Sequence, residues 1–208
     1  MTATDLDLDL GRRAVRRSTA QDAGWMSAVL AAAFDPDPIF RWCIPGREQR
    51  ARHLTEIFAA VVEGLAAHDE TYVAAGQEGV ALWVPPGAAP LSDAAAQVLG
   101  ERVGQLPAAD ADRFAALSAA MAEHHPHDPH WYLWFVAVHP SAQGQGIGGR
   151  LLEDMLVRCD VAGRAAYLEA TTESSLSLYQ RHGFRVVGEL SVAGSPPMWP
   201  MWREPRTS

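Results

Sequence analysis

The first half of the chain alternates between the hydrophobic period of helices and that of strands. A short stretch at 15–17 predicts a strand, and the polar residues 18–22 open a helix that the sequence DPDP at 35–38 should end. Residues 48–68 repeat apolar side chains at intervals of three and four, which predicts a second amphipathic helix. Residues 71–87 alternate around a glycine turn and stop at two prolines, which predicts a hairpin.

The second half of the chain begins with predicted helices and then alternates between predicted strands and helices. Residues 88–122 are rich in alanine and carry larger apolar side chains at helical intervals, so we expect two helices that Pro107 separates. The elements that follow are predicted, in order, as a loop at 124–130, a strand at 131–140, a glycine-rich turn, a helix ending near Val161, a strand at 165–171, a short helix at 174–183, a strand at 184–190 and a final edge strand within 195–204. This order predicts an α/β fold with a mixed sheet.

The composition bounds the class of protein. A chain of 208 residues with 48% apolar residues can bury one sizeable core, so we expect a single domain over 1–208 with a flexible stretch at 1–12. The formal charge of −8 argues against binding nucleic acid or a membrane surface through bulk electrostatics. No signal-like or membrane-spanning apolar segment occurs, so we expect a cytoplasmic protein. Cys43 and Cys159 lie far apart and indicate neither a disulfide framework nor a thiolate metal site.

A run of glycine and glutamine, QGQGIGG, interrupts the apolar pattern at 143–149. A strand that passes through glycines into a helix leaves the first N–H groups of the helix unpaired, with the positive end of the helix dipole behind them. Such a turn can bind phosphate, and glycine lets a pyrophosphate approach the backbone. The sequence lacks the GKS or GKT of nucleotide hydrolases. Its GQGIGG formally matches a dinucleotide fingerprint, with Glu169 about 20 residues further on, but the remaining parallel strands of that fold are missing from the predicted order.

Three stretches together resemble the GNAT superfamily of acetyl-CoA-dependent N-acetyltransferases. They are VHPSAQGQGIGGRLL at 138–152, YLEA at 167–170 and LYQRHGF at 178–184. The earlier stretches AAAFDPDPIF and HHPHDPHWYL are more loosely similar to the puromycin N-acetyltransferases and their actinobacterial relatives. The resemblance implies a GNAT fold: a mixed, mostly antiparallel central sheet flanked by helices and splayed at the acetyl-CoA site, with a cofactor-binding core at 131–190.

The resemblance also assigns residues to the cofactor. It implies that backbone groups of the strand at 136–138 pair with the amides of pantetheine, and that the loop and the first helical turn hold the pyrophosphate. Ser175 stands where relatives commonly have asparagine, and its hydroxyl can hydrogen-bond a cofactor amide. The implied cofactor-binding residues are Val136, Ala137, Val138, Gln143, Gly144, Gln145, Gly146, Ile147, Gly148, Gly149 and Ser175.

Acetyl transfer to an amine requires a neutral nitrogen and a proton for the departing thiolate. Tyr179 is the expected proton donor, because a phenol keeps its proton at neutral pH and the family places a tyrosine beside the sulfur. The alternative is that Tyr179 only packs against Phe184 and Leu176. Glu169 is the expected base, and its alternative role is that of an ordinary exposed strand carboxylate. Neither cysteine belongs to a Cys-His arrangement, so we expect direct transfer without an acyl-enzyme.

Two further groups of polar residues bear on the acceptor. Four histidines within 124–130 are interpreted as a solvated loop near the acceptor site, because no carboxylate or cysteine completes a metal-ligand spacing. Asp35 and Asp37 could attract a cationic amine or simply end a helix. We therefore expect an enzyme, monomeric or homodimeric, that uses acetyl-CoA and no metal to acetylate a primary amine of a small molecule such as an aminonucleoside or another amine metabolite. The alternatives are a protein or peptide acceptor and a noncatalytic acyl-CoA-binding module.

Overall fold

The computed structural model describes residues 14–206, and within them seven strands form one sheet in the order β1-β2-β3-β4-β5-β7-β6. The strands are β1 Val15–Arg17, β2 Thr71–Ala74, β3 Gly79–Val84, β4 His130–Val138, β5 Ala165–Ala170, β6 Arg185–Val186 and β7 Trp199–Arg203. In this sheet β4 and β5 run parallel, and every other neighbouring pair is antiparallel. The expected mixed, mostly antiparallel α/β sheet is confirmed, whereas the predicted flexible stretch at 1–12 lies outside the described residues.

Helices cover both faces of the sheet. Within residues 14–206 they are α1 Ala23–Phe34, α2 Pro38–Cys43, α3 Arg47–Leu65, α4 Asp93–Val103, α5 Ala108–His124, α6 Ile147–Val161 and α7 Glu173–Arg181. The first five lie on one face, around a core that includes Leu30 and Phe58, and α6 and α7 lie on the other, around Leu152 and Phe184. None of these described helices combines the length and the apolar composition needed to cross a membrane.

Side-chain caps and prolines set several helix ends. The predicted division of 88–122 into two helices is confirmed, because Pro107 stands immediately before α5. The short α2 was not predicted, since the Asp-Pro pair at 37–38 was interpreted only as a helix end. In the structure Asp37 accepts hydrogen bonds from the N–H groups of Ile39 and Phe40, and Pro38 occupies the first helical position, where its missing N–H costs nothing.

Two predictions near the carboxyl end are wrong. The predicted strand at 184–190 shortens to β6, followed by a single bridge between Leu190 and Met198. Residues 185–189 are exposed, so no buried face enforces strand alternation there. β7 is not an edge strand, because it pairs with β5 on one side and with β6 on the other. Its Met201 is fully buried between them, with 0% of its surface exposed.

β4 and β5 separate along their length, and this separation positions the functional site. Their parallel pairing covers three residue pairs and ends where Tyr132 meets Tyr167. Beyond that point β4 continues to pair with β3, and no strand within residues 14–206 pairs with its other edge. A β-bulge at Trp134 shifts the β3–β4 register by one residue where the gap opens. The expected splay of the sheet is confirmed.

Candidate active site

The free edge of β4 presents backbone groups to the gap. His139 N–H donates to Glu78 O at 2.7 Å, so the two-residue repeat of an antiparallel ladder turns the backbone groups of Ala137 toward β3 as well. Val136 and Val138 therefore direct their N–H and C=O groups into the gap. Of the three strand residues implied to pair with pantetheine, Ala137 is the one whose backbone is already used by β3.

The glycine loop joins β4 to α6 and ends at a helix start without a side-chain cap. Gly144 and Gly146 have φ angles of 77° and 76°, a left-handed backbone that favours glycine. The N–H of Arg150 donates to Gly146 O, so the N–H groups of residues 147–149 precede the hydrogen-bonded turns of α6. These groups and the positive end of the α6 dipole form a site that attracts an anion.

Two side chains join this loop to its neighbours, Gln143 to the strand and Arg150 to α6. Gln143 Nε2 donates to Val138 O at 3.1 Å, and Arg150 Nη1 donates to Gln145 O at 3.2 Å. The second lone pair of the Val138 carbonyl is left for another donor. Gln143 thus links the strand edge to the anion-attracting helix start.

One cavity of about 930 Å³ joins the strand edge to the rest of the site. Of the predicted site residues, its wall contains Val136, Ala137, Val138, Gln143, Glu169, Ser175 and Tyr179. Residues 144–149 lie outside the wall and follow Gln143 toward α6. The structure therefore brings both predicted catalytic residues and the β4 edge to one cavity, with the glycine loop next to it.

Tyr179 is held in the cavity wall by α7. Thr172 accepts a hydrogen bond from Ser175 N–H at the start of that helix, and the Tyr179 ring lies 6.1 Å from the Phe184 ring, centroid to centroid. The packing alternative is therefore correct for the ring, yet the residue also lines the cavity. Its hydroxyl hydrogen-bonds none of the residues that the structure describes. Burial, and secondarily the charge of Asp37, raise the Tyr179 pKa above its ordinary value, so the phenol keeps its proton.

Glu169 projects from β5 into the same cavity, and it is not an ordinary exposed carboxylate. Only 3% of its side chain is exposed, and its Oε1 accepts no hydrogen bond from residues 14–206. Burial, followed by the nearby charge of Glu169, raises the pKa of both Tyr132 and Tyr167. A buried carboxylate oxygen without a donor is costly to keep.

Comparisons with known proteins agree with this geometry. The family model for the acetyltransferase (GNAT) domain matches residues 107–186. A Corynebacterium glutamicum protein, whose structure is described as histone acetyltransferase HPA2 and related acetyltransferase, is 30% identical, with 93% of this chain and 97% of that chain covered and a TM-score of 0.68. The chain belongs to the GNAT superfamily of N-acetyltransferases.

Two other proteins extend the comparison for this GNAT enzyme. An uncharacterized N-acetyltransferase of Schizosaccharomyces pombe is 26% identical over 210 residues, which cover 93% of this chain and 84% of the relative. An agmatine N-acetyltransferase is 14% identical with a TM-score of 0.60, covers 92% of this chain and 98% of its own, and shows the fold alone. The chain is an acetyl-transferring enzyme of a family that uses acetyl-CoA.

The histidine loop reaches the GNAT site next to Glu169. His125 Nδ1 lies 3.9 Å from Glu169 Oε1, and its ring centroid lies 5.2 Å from that of Tyr167. The interpretation as a solvated loop is therefore only partly correct. His124 and His127 are exposed, His125 is half-buried, and His130 is buried. The polar composition of the loop gave no signal that its second histidine would face inward.

The two aspartates of the DPDP sequence have different environments. Asp35 Oδ1 accepts a hydrogen bond from Arg50 Nε at 3.0 Å, so its charge is compensated. Asp37 caps α2, accepts a hydrogen bond from Thr171 Oγ1 at 2.5 Å and stands in the cavity wall. Burial raises the pKa of Asp37. Of the two, Asp37 is therefore the residue positioned to influence a ligand.

The remaining predictions concern Ser175 and the absence of a metal. Ser175 Oγ donates to Thr172 O at 2.8 Å, so its hydroxyl bonds the start of α7 while the residue lines the cavity. Among residues 14–206, no three His, Cys, Asp or Glu side chains are grouped in a way that could hold a metal ion. The expectation of a reaction without a metal stays a prediction.

Proposed function

We propose that this GNAT enzyme transfers the acetyl group of acetyl-CoA directly to the primary amine of a small molecule. The observation that carries the proposal is a single cavity of about 930 Å³ whose wall contains the β4 edge, Glu169 and Tyr179. Pockets that enclose a small molecule measure roughly 300–1,000 Å³. All strands of residues 14–206 belong to one sheet, which supports a single catalytic domain.

The described residues fit acetyl-CoA. The backbone groups of Val136 and Val138 that face the gap match the amides of the pantetheine arm, as those of an added strand would. The N–H groups at residues 147–149 and the α6 dipole suit the pyrophosphate, and Gln143 lies between these two sites. When bound, acetyl-CoA supplies an activated thioester whose thiol is the leaving group.

Glu169 is the proposed base. A primary amine is mostly protonated at neutral pH and has no lone pair until it loses a proton. The unpartnered Oε1 of Glu169 accepts that proton, directly or through water, and the neutral nitrogen then forms the C–N bond as the C–S bond breaks. The half-exposed His125, 3.9 Å from the same oxygen, offers a neighbour through which the proton can return to solvent.

Tyr179 is the proposed acid. It donates its phenolic proton to the sulfur that leaves, which balances the proton that the amine gives to Glu169. The burial that raises the Tyr179 pKa also raises the proton affinity of a thiolate in the same cavity, so the transfer is not opposed by burial. In this proposal the base comes from β5 and the acid from α7, and both line the same cavity.

Direct transfer is supported by the state of the cysteines. Cys43 and Cys159 are fully buried, with 0% exposed surface, and both lie outside the cavity wall. Burial raises the pKa of each thiol to about 12, so neither forms a thiolate at neutral pH. Neither thiol can therefore serve as an acyl acceptor in a two-step reaction.

A thiol-release screen with acetyl-CoA tests this proposal. We expect turnover with at least one class among aminonucleosides, aminoglycosides, polyamines, amino acids and alkyl or aryl amines, at a higher kcat/KM than with any peptide. Intact-mass analysis after acetyl-CoA alone should show no acetylated enzyme, and because the sequence contains no lysine, side-chain amines add no background. An acetyl adduct that a subsequent amine removes would refute direct transfer.

The alternatives give different results in the same screen. The Corynebacterium glutamicum relative carries the name of a histone acetyltransferase, so histone and other peptides belong in the panel. A peptide preferred over every small amine would establish a protein acceptor. Binding of acetyl-CoA by calorimetry without transfer to any amine would indicate a noncatalytic acyl-CoA-binding module.

A further inference from the structure

One side of the cavity wall, on the sheet face opposite α6, is built from aromatic side chains. Five of the six phenylalanines of the sequence cluster there, one each from α1, α2, α3, α5 and β4. They are Phe34, Phe40, Phe58, Phe114 and Phe135, and neighbouring ring centroids lie 5.2–6.2 Å apart. We call this set the phenylalanine cluster. It places a continuous aromatic surface beside the reacting groups.

This surface is only partly open to the cavity, because Phe40 and Phe58 are buried, with 8% and 0% of their surface exposed, and the other three rings pack against them. Phe34, Phe114 and Phe135 are only partly buried, although they line the wall. Leu117 and Met121 on α5 are partly buried in the same way. Apolar side chains that remain accessible within a concave wall gain free energy when a ligand covers them, at about 25 cal/mol per Å². This side of the wall therefore favours an apolar group.

The charges of the wall favour a cationic group. Its carboxyl groups belong to Asp37, Asp112 and Glu169, and within the described chain no lysine, arginine or histidine contributes to it. Asp112 is exposed on α5. Asp37 caps α2, which carries Phe40, and bonds Thr171 just after β5, the strand of Glu169, so this contact marks the boundary between the gap and the phenylalanine cluster. A protonated amine is attracted to that boundary, with the rest of its molecule directed toward the aromatic rings.

We infer that the acceptor is a monoamine whose primary amino group is carried by an aromatic or alkyl group, which the phenylalanine cluster binds. This inference rests on the proposed function and specifies its substrate class. Amines rich in hydroxyl groups, or with a second charge at the far end, would leave polar groups without partners against Phe34, Phe114 and Phe135.

A homologous series of amines measures the apolar contribution directly. Each buried methylene adds about 0.8 kcal/mol, so kcat/KM should rise roughly fourfold per methylene and roughly 60-fold from propylamine to hexylamine. Phenethylamine should be transferred at least as well as hexylamine. Because the straight-chain alkylamines from propylamine to hexylamine have similar basicity, the trend along that series does not come from their protonation. Replacing hexylamine by 1,6-diaminohexane places a charge against the rings and should lower kcat/KM by about 100-fold or more.

A variant links the trend to the cluster. Phe114→Gln on the partly exposed face of α5 should reduce the hexylamine-to-propylamine ratio below about tenfold, since the side chain no longer offers an apolar contact. Val157→Gln is the matched control, because Val157 is 60% exposed on α6 and lies outside the wall. It should keep the wild-type ratio. Thermal melts of both variants establish that they fold.

The outcomes separate this inference from the proposed function. A rising series that Phe114→Gln flattens and Val157→Gln preserves supports the inference. A flat series, or a preference for diamines or amino sugars, overturns the apolar-amine inference and leaves the small-molecule acetyltransferase intact. A series whose slope survives in folded Phe114→Gln and in a second folded variant, Leu117→Gln, overturns the assignment of the phenylalanine cluster as the binding surface. Transfer to peptides alone overturns the proposed function itself.

Discussion

Replacing Tyr179 by phenylalanine tests the proposed acid while it leaves the ring in place. The hydroxyl hydrogen-bonds no residue among 14–206, and the ring keeps its contact with Phe184 at 6.1 Å, so the change breaks no described contact. We expect the free energy of unfolding to change by less than about 0.5 kcal/mol and Tm by less than about 2 °C. Turnover should fall on the order of 10²- to 10⁴-fold, the contribution of a general acid, which is about 2.7–5.4 kcal/mol of barrier.

The assay is steady-state thiol release with the best amine, together with acetyl-CoA titrations and thermal melts. Affinity for acetyl-CoA should fall by no more than about fivefold, because at most one hydrogen bond to the thioester is lost. Turnover within about threefold of wild type would refute the role of Tyr179 as acid, since that is well below the range for general acids. The proton would then come from water.

Tyr72→Phe is the matched control, because it makes the same chemical change outside the cavity wall. The Tyr72 hydroxyl donates to Glu70 Oε2 at 2.7 Å and accepts from Arg158. Its removal should lower the free energy of unfolding by about 1–3 kcal/mol and leave turnover unchanged. The two variants thus have opposite expected effects, and a loss of turnover in both would indicate a general effect of the substitution.

Three further predictions follow from the site and the core. Gly146→Val should weaken acetyl-CoA binding by about tenfold or more in calorimetry, because Gly146 has a φ of 76° at the start of α6. Gly163, just after the other end of α6, has a φ of 60°, so Gly163→Val should strain the backbone in the same way without weakening acetyl-CoA binding. Glu169→Gln should lower turnover by about 10²- to 10⁴-fold while the amine is protonated, and the deficit should shrink as the pH of the assay approaches the pKa of the amine. Burial raises the pKa of all four tyrosines above the ordinary 10.0. The stability that comes from keeping them protonated is therefore fully present below pH 10.0 and is lost as pH rises above it. We expect Tm to be level to about pH 9.5 and then to fall, with phenolate absorbance appearing together with unfolding.

Each of these has a clear opposing result. Equal affinity losses in the two glycine variants would assign the effect to backbone strain in α6. A uniform loss across pH in Glu169→Gln would indicate that the carboxylate positions the amine instead of accepting its proton. Phenolate absorbance that rises while the protein remains folded would show that the tyrosines are accessible to solvent.

Local sequence patterns predicted the elements but not all of their neighbours. The strand-to-loop-to-helix stretch around 138–152 was readable because apolar periods and glycines are local signals. β7 could not be placed from its sequence, because its position between β5 and β6 depends on which strand edges are free after the rest has folded. α2 was missed because an Asp-Pro pair is compatible with either end of a helix.

In the candidate site, too, some features could be predicted from the sequence and others could not. Tyr179 and Glu169 were predicted from the needs of the reaction and from the resemblance to the family's motifs, and one cavity contains both. The backbone groups of Ala137 face β3 and not the gap because of the alternation of hydrogen bonds between β3 and β4. A sequence of three apolar residues does not reveal which of them faces which neighbour. The phenylalanine cluster is dispersed over a hundred residues of sequence, and only tertiary packing brings its members together.

The β-bulge at Trp134 has a consequence for how such an enzyme can diversify. A bulge bends its strand, and here it also turns two successive aromatic side chains, Trp134 and Phe135, toward the same face and into the cavity wall. Removing this one residue would straighten β4 toward β5 and withdraw an aromatic ring at the same time, so donor and acceptor binding would be altered together. Changes of acceptor preference that spare the donor are therefore more accessible on α4 and α5, whose side chains line the wall without shaping the gap. In the proposed enzyme, substitutions on β4 would therefore affect both binding sites, whereas substitutions on α4 and α5 would affect the amine alone.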